Sequence, residues 1–309
     1  MGKVRIVSPY RAGRGRSYVA PHLSALDVSD WVFDGVLALI GHHHDPKKLV
    51  VRDSPEAAYR RLARVIDPAL IYWLEVADMR GRDCGDNRDG EDWLELFRLR
   101  CEELGLWRKC DSYAAWREEI VEALTDEPDA VSYVCDEGIY AYERGEIHSP
   151  AEALARTYAH RRKHSRVILT CGPSGSGKSH WMHGRDDGGV VICLDGLREE
   201  ELCRKRDDQS KNGQVMQLAK ERFRECLRAK RDVVWDATNL REDGRAMIVQ
   251  LARDYHAHTT VAVMATPPEE LARRNRKRSH AIPQAVLARQ LDRFQWPNAW
   301  EVHQVEPIV

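Results

Sequence analysis

Arg166-Val-Ile-Leu-Thr-Cys-Gly-Pro-Ser-Gly-Ser-Gly-Lys-Ser179 is the stretch whose reading decides the fold. Its first six residues read as a short buried strand. Gly172 to Ser179 then completes the pattern G-x-x-x-x-G-K-[ST], and Ser179-His-Trp-Met-His183 opens a helix. Each position suits a nucleoside triphosphate. Gly172, Gly175 and Gly177 let the backbone turn, so that the loop, with Ser174 and Ser176 in it, aims N–H groups at phosphate oxygens. Lys178 neutralises charge on the β- and γ-phosphates, and the Ser179 hydroxyl is placed to ligate Mg²⁺. The helix that follows turns its N-terminus toward the anion.

Downstream, strand and helix patterns alternate. The strands expected are 166–171, Val190–Leu194, Asp232–Trp235 and Thr259–Ala265; the helices are 178–184, 212–229, 241–255, 268–277 and 283–293. Such alternation predicts a parallel sheet flanked by helices. Asp195 and Asp236 stand at strand ends, where open α/β sheets bind ligands. Each suits Mg²⁺ or proton acceptance, or else simple helix capping. Arg273-Arg-Asn-Arg-Lys-Arg278 is a basic run in a helical pattern. Arg274 and Arg278, four apart, share a face, either as a phosphate cap or as a solvated basic surface.

Upstream the texture changes. Residues 31–125 follow helical periodicity, as in Trp93, Leu94, Leu96, Phe97, Leu99, Cys101 and Leu104. Asp83 to Gly90 reads as a loop, and residues 129–148 are ambiguous. Ser149-Pro-Ala-Glu152 is a helix start for a helix over Ala151–His164. The organisation expected is an all-α region at 1–125, a linker and connecting helix at 126–160, and an α/β P-loop domain at 161–309. Charge divides in the same place. Residues 1–160 carry 21 Lys/Arg and 29 Asp/Glu, a net of −8, whereas residues 161–309 carry 27 and 20, a net of +7. The second part therefore suits polyanions, ATP among them.

The 309 residues are 43% hydrophobic and 31% charged, with no apolar run long enough for a bilayer and no apolar signal core at the start. The eight cysteines form no C-x-x-C pair, so reduced, buried thiols in a cytoplasmic protein are expected.

Taken together, Gly172–Ser179, Leu194-Asp-Gly-Leu-Arg198, Asp236-Ala-Thr-Asn-Leu240 and Pro268-Glu-Glu-Leu-Ala-Arg-Arg-Asn-Arg-Lys-Arg278 with Ile282-Pro283 resemble the polynucleotide 5′-kinase family over residues 166 to about 295. The resemblance implies an ATP- or NTP-dependent 5′-hydroxyl kinase of RNA or DNA ends that works in repair, alongside a ligase or other end-repair proteins. It implies Asp195 as the base on the 5′-OH and Arg198 as a contact to a substrate phosphate. Lys178 and Ser179 would hold the donor and Mg²⁺, Asp236, Thr238 and Asn239 the pocket floor, and Arg274 and Arg278 the lid. Two other readings suit the same scaffold: a kinase of a small molecule or tRNA, and a non-catalytic nucleotide-binding adaptor.

In the first part, His22, the run His42-His-His-Asp-Pro46 and Asp78 lie in helical texture, as a metal-binding set or as a surface run at a helix end. Their order resembles the later portion of an HD-domain phosphohydrolase, a module fused to polynucleotide kinases in a bacterial family. The earlier His and the His-Asp doublet of that pattern are missing from the first 21 residues. This implies a truncated HD-like domain, with His22, His42, His43 and Asp78 vestigial and phosphatase activity absent.

Overall fold

The computed structural model describes residues 11–81, 88–109, 111–185, 189–200, 210–278 and 281–308, and the chain divides into two compact units, Met1–Ala114 and Ala115–Val309. The first unit is helical: α1 (Arg11–Leu23), α2 (Asp30–His42), α3 (Asp45–Val51), α4 (Glu56–Val65), α5 (Pro68–Arg80) and α6 (Arg88–Glu103). Its core gathers Leu49, Tyr59, Leu62, Ile71, Phe97 and Leu106, with the Tyr59 and Phe97 rings stacked at 5.9 Å. The apolar run of α6 splits by face, since Leu94, Phe97 and Cys101 are buried while Trp93, Leu96 and Leu99 are exposed. Of the loop expected at Asp83–Gly90, residues 83–87 lie outside the described residues and 88–90 begin α6.

The second unit starts with helices. They are α7 (Ala114–Ala123), almost wholly within it, α8 (Val131–Glu143) after a 3-10 turn at Pro128–Ala130, and α9 (Pro150–Thr157). Residues 126–160 are thus packed into the second unit. The ambiguity at 129–148 has a physical cause. Tyr133, Val134, Cys135, Glu137, Ile139 and Tyr140 are buried around nearly the whole circumference of α8, so no amphipathic stripe exists to read. Ser149 caps α9 as expected: Glu152 N–H donates to Ser149 Oγ at 3.3 Å, and the Ser149 hydroxyl donates to Glu152 Oε1 at 3.1 Å. The helix stops at Thr157 instead of running to His164. The expected basic helix end is instead turned onto one carboxylate, with Arg161 Nε and Nη2 donating to Glu127 at 2.9 and 2.8 Å and Arg162 Nη2 at 2.9 Å.

The remainder is a parallel sheet in the order β2-β3-β1-β4-β5, with β1 (Arg166–Cys171), β2 (Val190–Cys193), β3 (Val233–Asp236), β4 (His258–Met264) and β5 (Gln304–Ile308). Its helices are α10 (Lys178–His183), α11 (Leu194–Glu200), α12 (Asn212–Arg228), α13 (Glu242–Arg253), α14 (Pro268–Lys277) and α15 (Gln284–Arg293). Central β1 is shielded on both faces, as parallel strands are. Strand β5 went unexpected because it is a half-exposed edge strand containing Pro307, a residue such edges tolerate. No described helix is long and apolar enough to cross a membrane. Cys101, Cys135, Cys171 and Cys226 are buried free thiols and Cys193 is half-buried; Cys84, Cys110 and Cys203 lie outside the described residues.

Two polar assemblies lock the unit. Arg245 occupies the core face of α13 at 0% exposure, in line with Ile248, Val249 and Ala252. It grips Glu301 through Nε at 2.8 Å and Nη2 at 3.1 Å, and its Nη1 donates to the carbonyls of Asn239 and Gln295, both at 3.0 Å. The second assembly ties α8 to the sheet. Glu137 Oε2 accepts from His303 Nε2 at 2.7 Å, and the His303 Nδ1 acceptor takes the Thr259 N–H at 2.9 Å, which makes the buried ring a neutral imidazole. His258 hydrogen-bonds Asp136 at 2.9 Å and stacks on His303 at 4.8 Å. His160 stacks on His256 at 3.9 Å, and Tyr133 on His164 at 4.0 Å.

Glu301→Gln strands a buried guanidinium and is expected to destabilise the second unit by about 3–5 kcal/mol, read by denaturant unfolding. A loss under about 1 kcal/mol would contradict this account of the pair. The histidine seam sets an acid limit. Burial, the largest cause at each site, lowers the pKa of His160 (to about 4), His164, His256 and His303. Burial pulls Glu137 the other way, but the hydrogen bond from His303 and the charges of Arg253 and Arg156 hold its carboxyl at about 2. The folded histidines stay neutral while the unfolded chain protonates them below about pH 6.5. Their contribution is complete above that pH and is lost as pH falls, because the unfolded state then binds more protons. Tm should be level from about pH 7 to 8 and decline from about 6.5 toward 4; a Tm that rises on acidification would be incompatible with this.

Candidate nucleotide-binding site

β1 has β3 on one side and β4 on the other, while the chain leaves β1 for the distant edge strand β2. This is the switch point at which open parallel sheets hold ligands, and the loop Gly172–Ser179 emerges there. Gly175 (φ +86°) and Gly177 (φ +100°) are left-handed, a conformation that favours glycine. The loop is tied down from behind. The Gly172 N–H donates to Thr238 O at 2.9 Å, the Thr266 hydroxyl to Ser176 O at 2.9 Å, and the Ser174 N–H to Gln290 Oε1 at 2.8 Å. Ser176 Oγ is buried and has no hydrogen-bond partner among the described residues. An orphaned hydroxyl inside a glycine-rich nest fits a phosphate oxygen.

Lys178 is half-buried, but its ammonium is turned inward, where it donates to the carbonyls of Gly172 at 2.8 Å and Pro173 at 2.7 Å. Burial brings its pKa down to about 8, reinforced by Arg278 and opposed by Asp236 and Asp195. Each of those three charges is therefore close enough to act on Lys178. Ser179 is exposed at the start of α10.

Strand β2 stops at Cys193 rather than running through Leu194, so Asp195 sits in the first turn of α11 and Arg198 on the next turn. Arg198 Nη1 donates to Asp195 Oδ1. Asp236 lies in register with Cys193, with its Oδ1 3.4 Å from the Thr170 hydroxyl, which donates to Ala237 O at 3.0 Å. Burial above all raises the Cys193 thiol pKa, and a hydrogen bond to Asp236 adds to that. Asn239 is left-handed (φ +43°), and its Nδ2 donates to Thr170 O at 2.7 Å. Thr238 and Asn239 thus brace the base of the loop through the backbone groups they engage.

Arg274 and Arg278 do not share a helix face. α14 ends at Lys277, and Arg278 is in extended conformation beyond it. Both still reach the loop: Arg274 Nη1 lies 3.3 Å from where a Cβ on Gly177 would stand, and Arg278 Nη1 4.0 Å from that point on Gly175. Asn275 folds the following segment back, its Nδ2 donating to Ile282 O at 2.8 Å and its Oδ1 accepting the Ile282 N–H at 3.0 Å. Arg273 and Arg274 both pair with Glu270 at 2.6 Å, which lowers the pKa of that carboxyl. The segment Glu199–Lys211 is highly charged, and its residues 201–209 lie outside the described residues.

A cavity of about 350 Å³ includes Tyr133, His164, Arg166, Asp232 and Glu306 among its lining residues and none of the phosphate-binding loop. It lies toward the starts of β1, β3 and β4, opposite the end that carries the loop. Sequence reading missed Gln290, Thr266 and Arg245. Only Arg245 left a signal, as a charge within an otherwise apolar helical stripe.

The first unit does not gather the four residues expected there. His22 Nδ1 lies 2.8 Å from Tyr18 O, and His43 Nδ1 2.9 Å from Ile40 O. Buried His42 lies between Arg16 at 3.3 Å and Asp45 at 2.8 Å, while His44 is the one that meets buried Glu75, at 3.1 Å. Asp78 is on α5. Among the described residues no three His, Cys, Asp or Glu side chains form a metal-holding group.

Charge on Lys178 is directly testable. A bound polyphosphate favours the ammonium form, so binding at pH 8 should take up roughly half a proton. Calorimetry in buffers of different ionisation enthalpy reads this uptake, which should grow from about pH 7 to 8.5; uptake independent of pH would overturn the assignment.

No curated protein matches the chain. Residues 167–297 match the profile of a family described as an AAA domain, which supports a P-loop domain of the nucleotide-kinase or NTPase type over this stretch.

Proposed function

We propose that the second unit is an NTP-dependent polynucleotide 5′-hydroxyl kinase acting on RNA or DNA ends in nucleic-acid repair. The observation that carries this reading is the Asp195–Arg198 pair on α11, with Asp195 near enough to the P-loop lysine for its charge to raise the pKa of Lys178. Transfer to an alcohol needs a base for its proton and a cation to hold an acceptor phosphate, next to a donor site. In this scheme Asp195 takes the 5′-OH proton as that oxygen bonds the γ-phosphorus, and the bond to the β–γ bridging oxygen breaks to release NDP. Lys178 and the loop N–H groups hold the donor. Arg274 and Arg278 neutralise charge that develops in transfer. The Ser179 hydroxyl and the Asp236 carboxylate are the groups suited to hold Mg²⁺, which supplies charge neutralisation on the phosphates.

For the helical unit we propose a supporting or substrate-contacting role without phosphohydrolase chemistry. Its histidines are engaged with Arg16, Asp45, Glu75 and local carbonyls.

Incubation with γ-labelled ATP, Mg²⁺ and 5′-OH oligonucleotides should label the 5′ ends, with Asp195→Asn lowering kcat by about 10²–10⁴-fold and sparing ATP binding. Label passing only to nucleosides or sugars would remove the polynucleotide assignment. ATP binding with no transfer to any acceptor would leave a nucleotide-binding adaptor.

A further inference from the structure

We propose that Asn212 is a positioning residue for the acceptor: it aims the Arg198 guanidinium, and through it the Asp195 carboxylate, at the incoming phosphate and hydroxyl. This rests on the kinase reading above. The pair is lopsided, with the Arg198 side chain 7% exposed and that of Asp195 57% exposed. The cation is therefore seated in the protein while the base faces solvent. Its two terminal nitrogens are held separately, Nη1 on Asp195 Oδ1 and Nη2 on Asn212 Oδ1 at 2.8 Å. A guanidinium is planar, so holding both ends fixes the plane in which it can offer a fork to a phosphate.

Asn212 is itself well anchored. It is the first residue of α12, whose Val215, Ala219, Phe223 and Leu227 are buried in the core. Its chemistry suits the task. An amide oxygen accepts the N–H without bringing a negative charge, so Arg198 keeps its cationic charge for Asp195 and for a phosphate. A carboxylate at 212 would compete with both. Asn212 carries no proton-transfer chemistry and is exposed at the helix start, where substitution leaves the core untouched.

Steady-state kinetics on a 5′-OH oligonucleotide test this. Asn212→Ala is expected to raise the acceptor KM about 10-fold with the ATP KM unchanged, as loss of one hydrogen bond to a charged group does. In an Arg198→Lys background, where no fork remains to aim, the same change should add less than about 2-fold. An equal effect in both backgrounds, or an equal rise in the ATP KM, would show a merely structural role and overturn the proposal. Asn212→Asp, the same size with a charge, should weaken acceptor binding at least as much; wild-type acceptor KM in that variant would also overturn it. Absence of acceptor labelling by the unsubstituted protein would instead reject the kinase reading itself, and this assignment with it.

Discussion

Arg245 and Glu301 form the contact on which most of the α/β unit depends. A fully buried guanidinium is tolerated only when its charge is matched and its N–H groups are occupied. Arg245 meets that demand with the Glu301 carboxylate and the carbonyls of Asn239 and Gln295. Meeting it gathers four parts of the chain: α13, the turn after β3, the segment after α15 and the stretch leading into β5. The backbone of Glu301 reaches further, accepting the Tyr140 hydroxyl of α8 at 3.2 Å. Asn239, held by this knot, in turn holds Thr170 beside the phosphate-binding loop. The demand of one buried charge thus travels through hydrogen bonds to the floor of the nucleotide site.

Above that floor the loop is shaped by opposing charges. Lys178 is turned onto its own loop carbonyls, with Asp195 and Asp236 on one side of its electrostatic balance and Arg278 on the other. The α14–α15 segment is hydrogen-bonded to the loop through Gln290 and through Thr266 before α14, and Arg274 and Arg278 lie beside the loop glycines. A donor entering here meets groups already converged, which is how phosphoryl transfer is promoted, by positioning and charge rather than by covalent chemistry.

The residues legible in the sequence were those whose role is local. The P-loop glycines, Lys178, the Ser149 cap and the strand of β1 each announce themselves within a few positions, because turn geometry, capping and strand burial are short-range constraints. Asp195 was marked by its place after an apolar run and Arg198 only by the family resemblance, and a helix begins one residue sooner than the run suggested. Helix α8 was not legible, since burial on nearly all sides erases periodicity, and β5 was hidden by its half-exposed edge and Pro307. The histidines of the first unit illustrate the converse. Their clustering in sequence suggested a shared ligand, but the helix geometry sends neighbouring rings to different partners.

The sequence by itself determined an α/β domain with a phosphate-binding loop at 172–179 and helical texture before it, because backbone turns, caps and apolar runs act over a few residues. Only the tertiary structure decided which distant groups serve that loop. Arg245 with Glu301, Gln290 with Ser174 and Asn212 with Arg198 are separated by between 14 and 116 positions. Such pairs form where folding leaves a buried polar group in need of a partner, and no local pattern records which partner that will be.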